Sequence, residues 1–208
     1  MRRVSHWVFD LDDTLYPPTV GLTSQQRLHM LGYVQKVYDL PPDEAEIVRR
    51  RLVAEHGTTL RGLMITKEID PVDFLSWEDD LDLSALRPNP PLRDALARLD
   101  GPRYVFTNGS AGYGRRVLGR LGLDDLFSGV WGIDSGDYLP KPWLEAYERC
   151  FDAFGIEPAS GIFVDDSAVN LRVPKDLGMA TVLVNPDDPY DHDHVDVRVP
   201  DLLTWLRS

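Results

Sequence analysis

The chain has 208 residues, of which 43% are hydrophobic, which is enough for a packed core in one domain with an insertion or in two domains. Its formal net charge of −12 argues against binding to nucleic-acid polymers or to anionic membrane surfaces. The single cysteine, Cys150, excludes an internal disulfide framework, and we expect it to be a small buried residue. The sequence contains no recognisable signal peptide or membrane-length apolar run, so we expect a cytoplasmic protein.

The first predicted element is a buried strand over residues 4–9, and acidic residues follow it directly. Asp10 and Asp12 leave this strand together, at the carboxyl end where open α/β sheets bind their ligands. Carboxylates this close repel each other, so the pair requires a cation, a proton or both. The alternative is an ordinary acidic turn in which Asp13 or Thr14 caps the next element.

Residues 20–86 are predicted to form an all-helical insertion after the first strand. Its second helix carries Arg49, Arg50 and Arg51, which we expect to lie on a solvated face, with an anion site as the alternative. The predicted helices cover residues 24–38, 41–57 and 60–64, and a last one begins after Asp70.

From Pro88 onwards short strands alternate with helices, which predicts a doubly wound parallel sheet of the α/β class. The domain containing this sheet is predicted to comprise residues 1–19 and 87–208. We expect His192 and His194 to lie in a solvated loop. The predicted strands cover 103–106, part of 126–133, 161–164, 180–184 and 197–199, and the helices cover 92–99, 112–121, 142–154, 169–177 and 202–206.

Three predicted strands end in polar residues, and the carboxyl ends of parallel strands share one edge of a sheet. We therefore expect these side chains to converge in one crevice, together with a lysine from a loop that two prolines stiffen. Hard oxygen ligands favour Mg²⁺, and the remaining donors suit a phosphoryl group. The sequence has no Walker A loop, dinucleotide-binding fingerprint or Gly-x-Ser-x-Gly elbow. The residues concerned are Asp10 and Asp12, Thr107 and Asn108, Asp165 and Asp166, and Lys141.

This set resembles the four motifs of the haloacid dehalogenase (HAD) superfamily, and the match extends over nearly the whole chain. The motifs are a strand ending in Asp-x-Asp-x-Thr, a strand ending in Ser or Thr, a lysine, and a strand ending in paired acids. Further segments look like the pyrimidine 5′-nucleotidase branch. The implied fold is a HAD-like Rossmannoid core with an all-helical cap inserted after the first strand. The matching segments are 10–14, Thr107, Lys141 and 165–166 for the superfamily, and 9–16, 56–60, 70–75 and 107–109 for the branch.

The resemblance implies the mechanism of a phosphomonoester hydrolase. Asp10 would attack phosphorus to form an aspartyl phosphate, and Asp12 would protonate the leaving oxygen and then activate water. Thr107, the amide of Asn108 and Lys141 would bind phosphoryl oxygens. Dehalogenases of the superfamily need no acid at the position of Asp12, because halide leaves unaided.

The resemblance also implies Mg²⁺ as the cofactor. Its ligands would be Asp10, the backbone carbonyl of Asp12, and Asp166. Asp165 would bind the ion directly or act through another ligand. Bound Mg²⁺ would let a carboxylate approach an anionic phosphate.

The implied substrate is a small phosphorylated metabolite, above all a pyrimidine nucleoside 5′-monophosphate. Sugar phosphates, phosphoglycolate and a phosphoglucomutase-like transfer stay open as alternatives, as does a non-catalytic binding scaffold. A monomer and a homodimer are equally compatible with the sequence. The candidates for contacting the leaving group are Tyr16, Thr58, Thr59 and Arg61.

Two residues depart from the family pattern. Asp79 stands near the end of the cap where a histidine is expected. Pro174 stands where alanine is more usual, and we expect its helix to begin within one turn of it.

Overall fold

Six parallel strands form one sheet in the computed structural model, which describes residues 4–208. They are β1 (His6–Phe9), β2 (Arg103–Phe106), β3 (Gly129–Trp131), β4 (Gly161–Asp165), β5 (Ala180–Val184) and β6 (Val197–Val199). Their order across the sheet is β3-β2-β1-β4-β5-β6. β1 therefore lies in the interior of the sheet, paired with β2 and β4. The doubly wound parallel sheet predicted from the alternating pattern is confirmed.

An all-helical insertion follows β1, as predicted. It contains α1 (Leu22–Tyr38), α2 (Pro42–His56), α3 (Thr59–Lys67) and α4 (Pro71–Leu75). The helices outside it are α5 (Pro90–Ala97), α6 (Ala111–Leu121), α7 (Leu144–Phe154), α8 (Ala168–Asp176) and α9 (Leu202–Leu206). The division of the chain into 1–19 with 87–208 and 20–86 stays a prediction. Within residues 4–208, no helix combines the length and apolar character needed to cross a lipid bilayer.

Side chains alternate between the two faces of the sheet, and each face has its own apolar core. Phe9 packs in one cluster with Val105 and Val164, whereas Val8 packs in the other with Phe106 and Phe163. The second cluster includes Cys150, which is fully buried as expected. A third apolar cluster lies mainly within the insertion, where it includes Val34, Leu52 and Phe74, and it also contains Ile133 from the segment after β3.

Gly57 allows the insertion to approach the loop that carries Lys141. It ends α2 with a φ of 83°, which is strained for any residue with a side chain. A Cβ atom at this position would lie 3.0 Å from Pro140 and 3.0 Å from the indole nitrogen of Trp143. The glycine thus permits both the helix end and a close contact between insertion and core.

Pro174 lies well inside α8, and not within the first turn as expected from the sequence. A proline at this position cannot donate the helical hydrogen bond to the carbonyl of Asn170. The hydroxyl of Tyr147 donates to that carbonyl over 2.7 Å. The helix accommodates Pro174 because a side chain from α7 replaces the missing donor.

His194 is buried, contrary to the expectation of a solvated loop. Its Nε2 lies 2.7 Å from the carbonyl oxygen of Ala168, and its own carbonyl accepts a hydrogen bond from Thr181. His192 is partly exposed and pairs with Asp188 at 3.0 Å. His194 therefore fastens the loop before β6 to the beginning of α8.

Candidate active site

Asp10 directly follows β1, and neighbouring groups hold its side chain from two directions. Its backbone N–H donates to the carbonyl of Val164 on the adjacent strand, over 2.8 Å. Oδ1 accepts a hydrogen bond from Lys141 at 2.6 Å, and Oδ2 accepts one from the hydroxyl of Thr14 at 3.2 Å. Because Asp10 is almost fully buried, these contacts fix the orientation of its carboxylate.

Lys141 bridges two of the predicted site carboxylates. Its Nζ lies 2.6 Å from Asp10 and 2.7 Å from Asp165, and its side chain is 1% exposed. Burial alone would lower the pKa of Lys141, but the charges of Asp10 and Asp165 raise it above its usual value. The ammonium group is therefore firmly charged. It also lies 5.4 Å from the ring centre of Phe106.

The loop after β2 supports Lys141 and presents further donors to the site. The side-chain amide of Asn108 donates to the carbonyl of Lys141 at 3.2 Å and accepts from its backbone N–H at 2.8 Å. Thr107 is buried, and its hydroxyl oxygen accepts from the N–H of Gly109 at 3.0 Å. Among residues 4–208, none accepts a hydrogen bond from the Thr107 hydroxyl or the Asn108 backbone N–H. These two donors are available to a ligand.

Several carboxylates meet beside Lys141. Asp10, Asp165 and Asp166 each offer an oxygen, and these oxygens all lie within 4.8 Å of one another. Burial, and then the charge of Asp165, raises the pKa of Asp166 to about 7. Burial raises the pKa of Asp10 well above its usual value, although Lys141 opposes this shift. The cluster thus carries more negative charge than one lysine offsets, which a bound cation would relieve.

Asp165 and Asp166 differ in accessibility. Asp165 is fully buried, and its oxygens accept hydrogen bonds from Lys141, from the backbone of Ser167 at 2.9 Å and from the amide of Asn170 at 3.0 Å. Asp166 lines the cavity above the sheet edge. Asp166 is therefore the better placed of the two for contact with a ligand.

Three donors hold one oxygen of the Asp12 carboxyl group. Its Oδ1 accepts hydrogen bonds from Tyr113 at 2.6 Å, from Gln26 at 3.1 Å and from Tyr16. Gln26 also donates to the hydroxyl of Tyr113 at 2.9 Å. Burial raises the pKa of Asp12, and this effect outweighs the opposite effect of the three hydrogen bonds.

A cavity of about 310 Å³ lies between the sheet edge and the insertion. The core contributes a polar floor, and the insertion contributes much of an apolar wall, as is usual for ligand pockets. The floor includes Asp10, Asp12, Thr107, Asn108, Lys141, Asp166 and Asn170. The wall includes Met30, Val53, Leu60, Phe74, Leu75 and Trp77.

The four predicted contacts to the leaving group divide into two pairs. Thr58 and Thr59 line the cavity, although Thr58 also caps α3 by accepting from the backbone of Arg61. Tyr16 is buried against Asp12 and is not part of the lining. Arg61 stacks on Trp143, with 5.1 Å between its guanidinium carbon and the ring centre. The expectation that Tyr16 and Arg61 face the leaving group is not met by this geometry.

The expectation that Arg49, Arg50 and Arg51 all lie on a solvated helix face is wrong for Arg49. It lines the cavity, its side chain is only 16% exposed, and it makes two hydrogen bonds to Glu46 at 2.8 and 3.0 Å. Arg50 and Arg51 are exposed as expected. Leu52, three positions after Arg49, is buried on the same helix face. This spacing would have predicted from the sequence that Arg49 faces inwards.

Glu78 is a second lining residue that sequence reasoning did not identify. It is 4% exposed and accepts hydrogen bonds from the backbone and hydroxyl of Ser110, which caps α6. Burial raises the pKa of Glu78 to about 7, although the bonds from Ser110 oppose the shift. Asp79, the residue at the expected histidine position, instead pairs with Arg116 on the surface and lies outside the cavity lining.

Comparison with known proteins gives similarities over most of the chain. Residues 5–178 match the family model of haloacid dehalogenase-like hydrolases. Phosphate metabolism protein 8 of Saccharomyces cerevisiae is 29% identical over 84% of this chain, which spans only 60% of that protein's length. Phosphoglycolate phosphatase of Neisseria gonorrhoeae is 25% identical, with 100% of this chain and 95% of that protein covered. The HAD phosphatase from Thermococcus onnurineus shares the fold, with a TM-score of 0.65 at 18% identity over 98% of this chain and 96% of that one.

Proposed function

The chain belongs to the haloacid dehalogenase-like hydrolases, and on this basis we propose that it is a Mg²⁺-dependent phosphomonoesterase that uses Asp10 as its nucleophile. The observation that carries the proposal is the position of Asp12. Its carboxyl group lines the cavity that Asp10 also lines, and one of its oxygens is free of hydrogen bonds from residues 4–208. An alkoxide leaving group needs such an acid, whereas a halide does not.

The reaction we propose has two steps. In the first, an oxygen of Asp10 attacks phosphorus while the bond from phosphorus to the leaving oxygen breaks, and Asp12 gives its proton to that oxygen. In the second, Asp12 takes a proton from water, whose oxygen attacks phosphorus. The bond between phosphorus and Asp10 then breaks, which releases phosphate and restores both carboxyl groups.

Donors around the nucleophile suit the charge of a phosphoryl group. The ammonium of Lys141 lies beside the attacking carboxylate, and the Thr107 hydroxyl and Asn108 backbone N–H have no acceptor among the described residues. We assign these three groups to the phosphoryl oxygens, where they would stabilise charge that develops in the transition state. The side chain of Asn108 keeps Lys141 in place and is assigned no contact with phosphate.

The donor set fits Mg²⁺, because carboxylate oxygens are the hard ligands that this ion prefers. Asp10 and Asp166 would hold it together with the backbone carbonyl of Asp12. Asp165, whose oxygens already accept several hydrogen bonds, would act by positioning Lys141. Bound Mg²⁺ would supply positive charge that lets the anionic phosphate approach a carboxylate.

For the substrate we propose a pyrimidine nucleoside 5′-monophosphate, with residues 20–86 acting as the cap domain over the core. The wall contains Phe74 and Trp77, and such an aromatic surface suits a flat base better than a small carboxylate. Thr59 and Arg49 offer polar groups on the same side. Phosphoglycolate is the second candidate, because the Neisseria gonorrhoeae relative bears that name and Arg49 would suit a carboxylate.

Phosphate release from a panel of monoesters, with and without Mg²⁺, tests this proposal. The panel contains UMP, CMP, AMP, sugar phosphates and phosphoglycolate. We expect Mg²⁺-dependent turnover that favours UMP and CMP, and no turnover by Asp10→Asn. Turnover of phosphoglycolate alone would keep the mechanism and overturn the nucleotide assignment. No release from any ester, or full activity of Asp10→Asn, would overturn the enzymatic proposal.

A further inference from the structure

We infer that Gln26, Tyr113 and Tyr16 are positioning residues that turn the Oδ2 atom of Asp12 towards the leaving group. The inference rests on the proposed function, since it concerns the acid of the same reaction. The three side chains converge on the other oxygen, Oδ1, with distances of 3.1 Å from Gln26 and 2.6 Å from Tyr113 and a short contact from Tyr16.

Three donors saturate Oδ1, because a carboxylate oxygen has two lone pairs. Oδ2 receives no hydrogen bond from any residue between 4 and 208, and Asp12 lines the cavity. The occupied oxygen therefore faces the protein, and the open oxygen is the one that can exchange a proton with a ligand. Rotation of the carboxyl group would break all three bonds at once.

The hydrogen-bond directions form a consistent chain. The amide of Gln26 has two hydrogens, of which one goes to Asp12 and the other to the hydroxyl of Tyr113 at 2.9 Å. Tyr113 in turn donates its hydrogen to Asp12. Only a side chain with two N–H donors on one atom can serve both acceptors, so leucine or glutamate in place of Gln26 would break the arrangement.

The donors come from three separate parts of the fold. Tyr16 lies in the turn after β1, and Tyr113 lies on α6 of the core. Gln26 lies on α1 of the insertion, so one group that fixes the acid belongs to the segment that also forms the cavity wall. The orientation of Asp12 therefore depends on the insertion lying against the core.

The simpler alternative is that Gln26 and Tyr113 only hold the insertion on the core. The two explanations differ in how a variant responds to the leaving group. In the first step, a positioning defect slows attack on an ester whose leaving oxygen needs a proton and spares an ester whose leaving oxygen departs without one. The second step, in which Asp12 activates water, is the same for both esters. A packing defect slows both esters alike.

The experiment compares kcat/KM for a nucleoside 5′-monophosphate with kcat/KM for p-nitrophenyl phosphate, whose nitrophenolate leaves without a proton. The ratio kcat/KM reports the steps up to formation of the aspartyl phosphate and is independent of its hydrolysis. Gln26→Leu and Tyr113→Phe should lower kcat/KM for the nucleotide by roughly tenfold to a hundredfold, and for p-nitrophenyl phosphate by less than about threefold. Gln25→Leu and Tyr104→Phe are matched controls, since Gln25 bonds to Asp82 and Tyr104 lies near Phe154, both away from Asp12. The controls should behave as wild type.

Equal losses of kcat/KM on both esters, or no loss on either, would overturn the positioning roles while the wild-type enzyme remained a phosphatase. If the wild-type protein hydrolysed neither ester, the proposed function would fail first, and the inference would fail with it. The two failures are therefore distinguishable in one data set.

Discussion

Replacing Lys141 by methionine removes the positive charge that lies between Asp10 and Asp165, and this change should destabilise the fold strongly. The two contacts are 2.6 and 2.7 Å long, and the three side chains are 1%, 10% and 0% exposed. At an effective dielectric constant of about 20, each contact is worth about 6 kcal/mol before desolvation. Because desolvation offsets much of this, we expect Lys141→Met to lower the free energy of unfolding by roughly 3–5 kcal/mol.

Urea unfolding followed by tryptophan fluorescence, with a chelator present, measures this loss. The double variant Lys141→Met with Asp165→Asn should regain at least about 1 kcal/mol, because it leaves one buried carboxylate fewer without a partner. Lys175→Met is the matched control, since its pair with Asp196 is partly exposed and should contribute less than about 1 kcal/mol. A loss at Lys141 no larger than at Lys175, or additive effects in the double variant, would refute the reasoning.

Three further predictions concern stability, catalysis and the surface. Burial raises the pKa of Glu78 from 4.5 to about 7, so between these values the folded protein holds a proton that the unfolded chain has lost. Glu78 should therefore contribute a fall of roughly 3 kcal/mol to the free energy of unfolding as the pH rises through this window. In urea titrations at several pH values, Glu78→Gln should lack this contribution, so that the two pH curves differ in slope, and parallel pH curves for the two proteins would contradict the assignment. Thr107→Val should lower kcat by about 10²–10³-fold in the phosphate-release assay, because it removes a donor to the transferring group. A rise in KM with unchanged kcat would argue against that role. Asp79→Ala should change the free energy of unfolding by less than about 1 kcal/mol and leave KM unaltered, because its pair with Arg116 is on the surface; a change in substrate preference would show that Asp79 does reach the substrate.

The sequence was most informative where a pattern has one structural outcome. The apolar run before Asp10 predicts a buried strand, and parallel strands that end in polar residues must share one sheet edge. The structure accordingly brings Asp10, Lys141 and Asp165 into direct contact. The predicted helix end at residue 57 and the predicted helix start after Asp70 likewise agree with the observed ends of α2 and α4.

What the sequence could not predict depends on contacts between distant segments. Tyr113 meets Asp12 across 101 positions of the chain, and Gln26 reaches it from the insertion. The orientation of Arg61 towards Trp143 depends on how the insertion lies on the core. No periodicity encodes such pairings, because they follow from the packing of whole elements against one another.

Pro174 shows how a local rule can mislead. The rule that proline avoids helix interiors assumes that the lost hydrogen bond stays unmade. Here the hydroxyl of Tyr147 supplies the donor to Asn170, and Asn170 in turn donates to Asp165. The exception therefore lies next to the candidate active site, and it helps to fix a residue on which Lys141 depends.

Chemical trapping of the intermediate on Asp10 tests the proposed mechanism most directly. The protein is mixed with excess nucleotide and Mg²⁺, quenched in acid and treated with borohydride, which reduces an aspartyl phosphate to homoserine. Peptide mass mapping should then find homoserine at the position of Asp10, and none without substrate or in Asp10→Asn. Turnover that leaves Asp10 unmodified, or that modifies another residue instead, would contradict the account.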